Sequence, residues 1–257
     1  MSKFPKISLK DIYKSFNQKQ ILGGINLNVE PQESMVIIGG SGTGKSVLLK
    51  SILGLLEIDS GIISIDGDDL SLLSNKKREK VNQKISMLFQ GAALFDSISV
   101  WENIAFGLVQ SKQYNIKDAK ELAMESLVKV GLNHNVGNLY SSELSGGMQK
   151  RVGLARAISG SPDIIFFDEP TTGLDPIMAD IINELIINCV KNEGITAISI
   201  THDMTSAKKI GDKIAMLYMG QIIWTGLPSN IANSGIPYVD QFINGKSTGP
   251  IEMDLRR

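Results

Sequence analysis

The chain has 257 residues, with 26 basic and 27 acidic side chains, a formal net charge of −1 and one cysteine. That length suits one large α/β domain, or a core with a modest subdomain, and the balanced charge gives no footprint for nucleic-acid binding. A lone cysteine excludes an intramolecular disulfide and is compatible with a reducing compartment.

Met1–Lys6 has no apolar signal core, and no run approaches the roughly 20 apolar residues of a spanning helix, so a soluble, cytosolic protein is expected. Ile7–Leu9 and Leu27–Val29 read as early strands. Met35–Ile38 reads as a buried strand, Val47–Leu53 as a helix and Ile62–Ile65 as a strand before the turn Asp66-Gly67-Asp68. Lys76-Lys77-Arg78 and Lys208-Lys209 read as solvated helix faces. Ile85–Phe89 is a further short apolar run. From about Ser97 to Gly160 the spacing is helical, over Lys117–Val130 and Gly147–Ile158, which predicts a helical subdomain inserted into an α/β core. Ile164–Phe167 and Thr196–Ile200 read as strands, followed by the pair Lys213–Leu217 and Gln221–Thr225 around Met219-Gly220. Pro176–Asn192 reads as a mostly buried helix, because Ile177, Ile181, Ile182, Leu185, Ile186 and Cys189 cover more than one stripe. Cys189 is then core filler. Beyond Gly226 the chain is richer in Gly, Pro, Ser and Asn, and a docked or partly ordered tail is expected. Near-continuous apolar strands predict a largely parallel sheet covered by helices.

Between the strand at Met35–Ile38 and the helix at Val47–Leu53 lies Gly39-Gly40-Ser41-Gly42-Thr43-Gly44-Lys45-Ser46, a match to G-x-x-x-x-G-K-[ST] in strand–loop–helix context. Glycines let the backbone turn N–H groups inward around phosphates, and the helix N-terminus adds partial positive charge. Lys45 can reach the β/γ oxygens, and the Ser46 hydroxyl can ligate Mg²⁺. Nucleoside triphosphate binding is therefore expected.

Two further segments narrow this reading. Ile164–Phe167 runs into Asp168-Glu169, where Asp168 is placed to hold Mg²⁺ and Glu169 to accept a proton from attacking water, or to polarise it. Leu144-Ser145-Gly146-Gly147-Met148-Gln149 opens a helix-like segment with a second anion-binding N-terminus, about a hundred residues after the first.

From about Ile7 to Gly226 the chain resembles the nucleotide-binding subunits of ATP-binding cassette (ABC) transporters, with the motifs in that family's order. Gly39–Ser46 is similar to its Walker A loop, Ile164–Glu169 to its Walker B strand and Leu144–Gln149 to its signature. Gln90 falls at the Q-loop glutamine, Asp175 of Gly173-Leu174-Asp175 at the D-loop, and His202 at the switch histidine. Phe16 is similar to the adenine-stacking aromatic, with Tyr13 as its competitor. The resemblance implies a P-loop NTPase core with a mostly parallel sheet, an N-terminal antiparallel β part and an inserted helical subdomain. Residues 1–257 then form a single ABC ATPase domain: core at about 1–96 and 161–226, helical subdomain at about 97–160, tail at 227–257. It implies ATP and Mg²⁺, with Ser46, Gln90 and Asp168 at the metal and Glu169, Gln90 and His202 in catalysis. Ser145, Gly146, Gly147 and Asp175 join the nucleotide of a second copy in a head-to-tail homodimer. His134, the other histidine, reads as a surface residue.

Leu88-Phe89-Gln90-Gly91-Ala92-Ala93-Leu94-Phe95-Asp96-Ser97 and the tail Gln241–Gly245 with Gly249–Ile251 are similar to the lipid-transporting, mammalian-cell-entry-associated (Mla-type) branch. That implies phospholipid transport between bacterial membranes from the cytoplasmic face of the inner membrane. A permease, a substrate-binding protein and accessory proteins would be the partners. Another importer ATPase, or an ATPase transmitting force to a membrane protein, would keep the same nucleotide motifs. A chromosome or DNA-repair ATPase needs a long coiled coil between Walker A and signature, for which the gap leaves no room.

Overall fold

In a computed structural model that describes residues 4–252, the elements follow in an order close to that expected. They begin β1 (Ile7–Phe16), β2 (Lys19–Val29), β3 (Ser34–Ile38), α1 (Lys45–Ile52), β4 (Ser60–Ile65), β5 (Asp68–Asp69) and α2 (Asn75–Asn82). The middle holds β6 (Ile85–Leu88), α3 (Val100–Gln110), α4 (Ile116–Lys129), α5 (Gly146–Ile158), β7 (Ile164–Asp168) and α6 (Pro176–Lys191). Last come β8 (Thr196–Ile200), α7 (Met204–Ile210), β9 (Lys213–Tyr218), β10 (Gln221–Gly226) and α8 (Pro237–Ile243). They group into two compact units, one reaching Leu73 and resuming at Ile200, the other spanning Ser74–Ser199.

In the first unit an antiparallel sheet has the order β2-β1-β4-β5. Ile7, Leu9 and Ile12 of β1 and Leu22, Ile25, Leu27 and Val29 of β2 are buried, the alternation of a half-covered sheet. Both strands run well past the expected Ile7–Leu9 and Leu27–Val29. Their outer parts carry polar residues, Gly23-Gly24 and register shifts, with Asp11 at φ 49°, which interrupt the apolar signal. Asn17 and Gln18, both at positive φ, close the hairpin where Phe16 faces Lys19. The second sheet segment of this unit has the order β10-β9-β3. All five residues of β3 are buried, and it runs parallel to β9 with Val36 opposite Ile214. Met219 and Gly220 make the expected β9–β10 turn, both at positive φ.

The tail is docked on this unit as far as it is described. Ile231 and Val239 are buried, the Tyr238 ring lies 4.8 Å from Tyr218, and Gln241 Oε1 accepts a hydrogen bond from Ile251 N–H at 2.6 Å. Residues 253–257 lie outside the described chain.

In the second unit the strand order is β8-β7-β6, with β6 parallel to β7 through Ile85–Ile164 and Leu88–Phe167. Helices α3, α4 and α5 pack against one another, and between Ser97 and Gly160 the only strand-like pairing among the described residues is a Ser99–Tyr140 bridge. Each helix start carries its own cap: Ser99 with Glu102 for α3, Asn115 for α4 and Ser145 for α5. In helix α2 Lys76 and Lys77 are exposed as expected, but Arg78 is half-buried, and burial lowers its pKa, so the solvated face stops short of it. One expectation needs correction. Helix α6 is not mostly buried: Ile182, Ile186 and Cys189 face inward, but Ile177 is 74% and Ile181 38% exposed. Those two lie one helical turn apart on a second stripe, and packing covers only one stripe.

Candidate active site

The phosphate loop is shaped by backbone that only glycine accepts. A Cβ on Gly39 would stand 2.3 Å from the Leu217 carbonyl oxygen, and one on Gly44, at φ 104°, would stand 3.0 Å from the Ile21 carbonyl oxygen. Helix α1 starts at Lys45, with Gly44 as an N-cap that offers no side-chain bond and no acidic residue in its first turn, leaving N–H groups and partial positive charge for an anion. The buried Lys45 ammonium donates to the carbonyls of Gly39 and Gly40, 2.7 Å each, so its charge is folded over the loop itself. Thr43 Oγ1 donates to the Gly40 carbonyl at 2.9 Å. Ser46 is exposed at the first turn of α1, one residue beyond Lys45, and Ser41 and Gly42 are exposed at the loop's crest.

The same unit brings His202 to this end of β3. Thr201 N–H donates to the Ile37 carbonyl, two residues before Gly39, and His202 follows it as an exposed side chain. Asp203 then caps α7 through Thr205 and Ser206 N–H. Burial pushes the Asp203 carboxyl up, but hydrogen bonds from Ser206 and Thr205, with His202 alongside, hold it below its ordinary value. Phe16 is 44% exposed at the hairpin end, with the Lys14 ammonium 5.4 Å from its ring centroid. Tyr13 is exposed on the same strand, its hydroxyl over Gly24, where a Cβ would come within 2.8 Å.

The second unit gathers Gln90, Asp168 and Glu169 around a residue that motif reading passed over. Lys150, on α5, donates to the carbonyl of Gln90 and, at 3.2 Å, to that of Glu169. Burial lowers the Lys150 pKa, opposed by the nearby Asp168 and Glu169 carboxylates. Glu169 sits in the left-handed region at φ 48°, with Thr172 Oγ1 donating to its Oε2 at 2.9 Å. Ser145 caps α5, accepting from Met148 N–H at 3.3 Å, and Gly146 and Gly147 form the first turn. Gly147 lies against α6, where a Cβ would meet Met178 Cε at 2.4 Å. Asp175 caps α6, its Oδ1 accepting from Ile177 and Met178 N–H at 3.0 Å each. His134 is exposed, as expected.

After Gln90 the backbone is held from three sides. Arg156 of α5 donates to the carbonyls of Ala92 and Ala93, both at positive φ. The fully buried Asn103 accepts from Phe95 N–H at 2.7 Å and donates to the carbonyls of Phe95, Ile98 and Ser99. Ser141 donates to Asp96. Phe95 remains 44% exposed, its ring 4.8 Å from that of the equally outward Phe106. Asn103 was missed by motif reading, although Ser99-x-x-Glu102 just before it spells a capping box.

The family profile described as ABC transporter matches residues 22–172. The chain belongs to the ABC transporter family. This ABC ATPase is 37% identical over 261 residues to "Protein TRIGALACTOSYLDIACYLGLYCEROL 3, chloroplastic" of Arabidopsis thaliana, covering 95% of this chain and 75% of that protein. It is 36% identical to the "Intermembrane phospholipid transport system ATP-binding protein MlaF" of Haemophilus influenzae, over 95% of this chain and 92% of that one. It is 37% identical to the "L-cystine import ATP-binding protein TcyN" of Bacillus subtilis, over 88% and 87%. Among solved structures, the dimeric ATP-binding cassette MJ0796 bound to ADP and Pi superposes with a TM-score of 0.79 at 29% identity, over 86% of this chain and 98% of that one. The fold is that of an ABC ATPase, and the chemistry is ATP binding and hydrolysis.

Among the described residues, no three His, Cys, Asp or Glu side chains cluster as a metal cage. The donors named for Mg²⁺ are instead the Ser46 hydroxyl, the Gln90 amide oxygen and the Asp168 carboxylate. Each is an oxygen donor of the kind Mg²⁺ takes, Ser46 in the first unit and Gln90 and Asp168 in the second. Among the described residues no helix is long and apolar enough to cross a membrane.

Proposed function

We propose that this ABC ATPase powers phospholipid movement between bacterial membranes, working as a homodimer beneath an integral membrane permease. It would sit peripherally on the cytoplasmic face of the inner membrane, with substrate-binding and accessory proteins as further partners. The observation that carries the lipid assignment is the segment Gly91–Ser97, pinned by Arg156, Asn103 and Ser141 yet displaying Phe95 beside Phe106. MlaF, named for intermembrane phospholipid transport, supports the same reading. TcyN, named for L-cystine import at 37% identity, shows that overall likeness alone does not choose the cargo, so the segment after Gln90 has to.

In this reading Lys45 and the Gly39–Ser46 amides bind the phosphates, and Phe16 stacks on adenine. Ser46, Gln90 and Asp168 hold Mg²⁺, which when bound neutralises phosphate charge. Glu169 accepts the proton of the attacking water, His202 orients that water at the γ-phosphate, and Ser145, Gly146, Gly147 and Asp175 serve the nucleotide of the second copy. The decisive experiment purifies the membrane complex and reconstitutes it in liposomes with labelled phospholipid. ATP-dependent transfer to acceptor liposomes is expected. Turnover without transfer, or recovery of an amino-acid permease, refutes the lipid assignment.

A further inference from the structure

The signature helix does more in this structure than present Ser145 at its tip. One face of α5, Lys150, Gly153 and Arg156 at intervals of three, lies along the chain from Leu88 to Ala93. Gly153 permits the approach: a Cβ there would stand 2.8 Å from Leu88 Cδ1 and 3.1 Å from Ala92 Cβ. On either side of that close contact a cationic side chain donates to backbone carbonyls. Lys150 is 5% exposed and takes one carbonyl from each of two segments, Gln90 in the loop after β6 and Glu169 in the turn after β7. Charge-assisted donors to backbone carbonyls are among the stronger hydrogen bonds, and burial strengthens them further.

Glu169 is where such a brace matters. Its φ of 48° places a residue with a Cβ in the left-handed region, a conformation that persists only when the surroundings hold it. Bonds that do so here include Lys150 Nζ to its carbonyl at 3.2 Å, Thr172 N–H to the same carbonyl at 3.3 Å and Thr172 Oγ1 to its carboxylate at 2.9 Å. The direction of the carboxylate follows from the backbone torsion, so the lysine aims the carboxylate without touching it.

We propose that Lys150 is a positioning residue: it ties the backbone of Gln90 to that of Glu169, so that the partner-facing segment and the hydrolytic carboxylate keep one register. The inference rests on the roles given above to Glu169 and Gln90. Lys150 itself touches no reacting atom. Beyond the end of the β6–β7 ladder its ammonium is shared by the two segments, and displacement of the chain at Gly91–Ser97 is felt at Glu169 through it.

The test compares Lys150→Met, Lys150→Arg and Glu169→Gln with the wild type, each as full chain in its purified membrane complex. Lys150→Met is expected to lower kcat for ATP about ten- to hundredfold, the scale of misplacing a catalytic group by an ångström, with KM for ATP unchanged. Lys150→Arg, whose guanidinium can donate to both carbonyls, is expected to restore most of that loss. A kcat for Lys150→Met within twofold of wild type overturns the proposal. So does a fall in melting temperature and folded yield with kcat per bound nucleotide intact, the signature of a purely structural lysine. Equal loss in the Arg and Met variants also overturns it. Glu169→Gln keeps the underlying reading separate: normal turnover there removes the base assignment, whatever Lys150 does.

Discussion

Asn103 offers the sharpest test of how the segment after Gln90 is built. The side chain is fully buried and makes four hydrogen bonds to main chain, 2.7 Å from Phe95 N–H and 3.0, 3.2 and 3.1 Å to the carbonyls of Phe95, Ile98 and Ser99. At about 1 kcal/mol net for each, with water reaching some of the freed groups beside exposed Phe95, Asn103→Ala should cost about 2–4 kcal/mol. For a chain of this size that lowers the melting temperature by about 5–15 °C. Asn103→Asp separates hydrogen bonding from shape. Its Oδ1 still accepts from Phe95, but the second oxygen stands where the amide nitrogen faced three carbonyls. An ionised carboxylate is repelled there, so its pKa rises above the unfolded value. The sign follows: stability is retained at low pH, where the protonated acid can still donate, and is lost as pH rises through the shifted pKa. Thermal melts at pH 5 and pH 8 check this, with the Asp variant expected to melt below the Ala variant at pH 8 and to recover at pH 5. Permease co-purification should fall in both variants while ATP affinity holds. An Asp variant as stable as wild type at pH 8 would show that these hydrogen bonds do not hold the segment.

Three other expectations follow from single observations. Glu169→Gln keeps an oxygen acceptor for Thr172, so it should fold and bind ATP normally, yet lose turnover by about a hundredfold or more; an ATPase assay beside nucleotide-binding titration checks it. Gly39→Ala places a Cβ 2.3 Å from the Leu217 carbonyl, a backbone atom that cannot swing aside. ATP affinity in that variant should drop at least tenfold in a binding titration, about 1.4 kcal/mol or more. Burial pushes the Cys189 thiol up to about 12, so native protein at pH 8 should resist maleimide and react only once unfolded. The same shift contributes stability below pH about 8.5 that is lost on going toward 12, because only the unfolded thiol ionises readily in that window.

The reach of sequence reading varied with the kind of signal each element carries. β3, β7 and β8 were legible because burial on both faces writes a continuous apolar run, as in Ile164–Phe167. β1 and β2 were seen only at their inner ends, since bulges at Asp11 and the glycines at 23 and 24 erase the alternation further out. Helix α2 buries nothing, so no periodicity marks it, and α3 hides inside an apolar run broken by Gly107. The chemistry-bearing residues stood out because glycine and carboxylate patterns around phosphates are local. Lys150 did not, because its partners lie 60 and 19 residues away and are backbone carbonyls, which leave no trace in residue type. Asn103 is hidden for the same reason, as it binds main chain.

Strained backbone gives a further handle on what α5 holds. Ala92 and Ala93 have φ of 58° and 47°, two successive left-handed residues with a Cβ, each costing about 1 kcal/mol. Arg156 donates to both carbonyls and Gly153 packs against Ala92, so the conformation is imposed from the helix. Replacing both alanines by glycine relieves the folded state but frees the unfolded chain by a comparable amount, and overall stability should change little. Arg156→Met in the alanine background removes the grip from a strained segment, which then relaxes out of the left-handed region and carries Leu94–Ser97 with it. In the glycine background the same substitution meets a backbone content to stay. Permease capture should therefore fall several-fold more for Arg156→Met with alanines than with glycines, a coupling of about 1 kcal/mol in a double-mutant cycle. Additive effects would mean that the strain is held by something other than Arg156, and that the signature helix does not set the shape of the segment after Gln90.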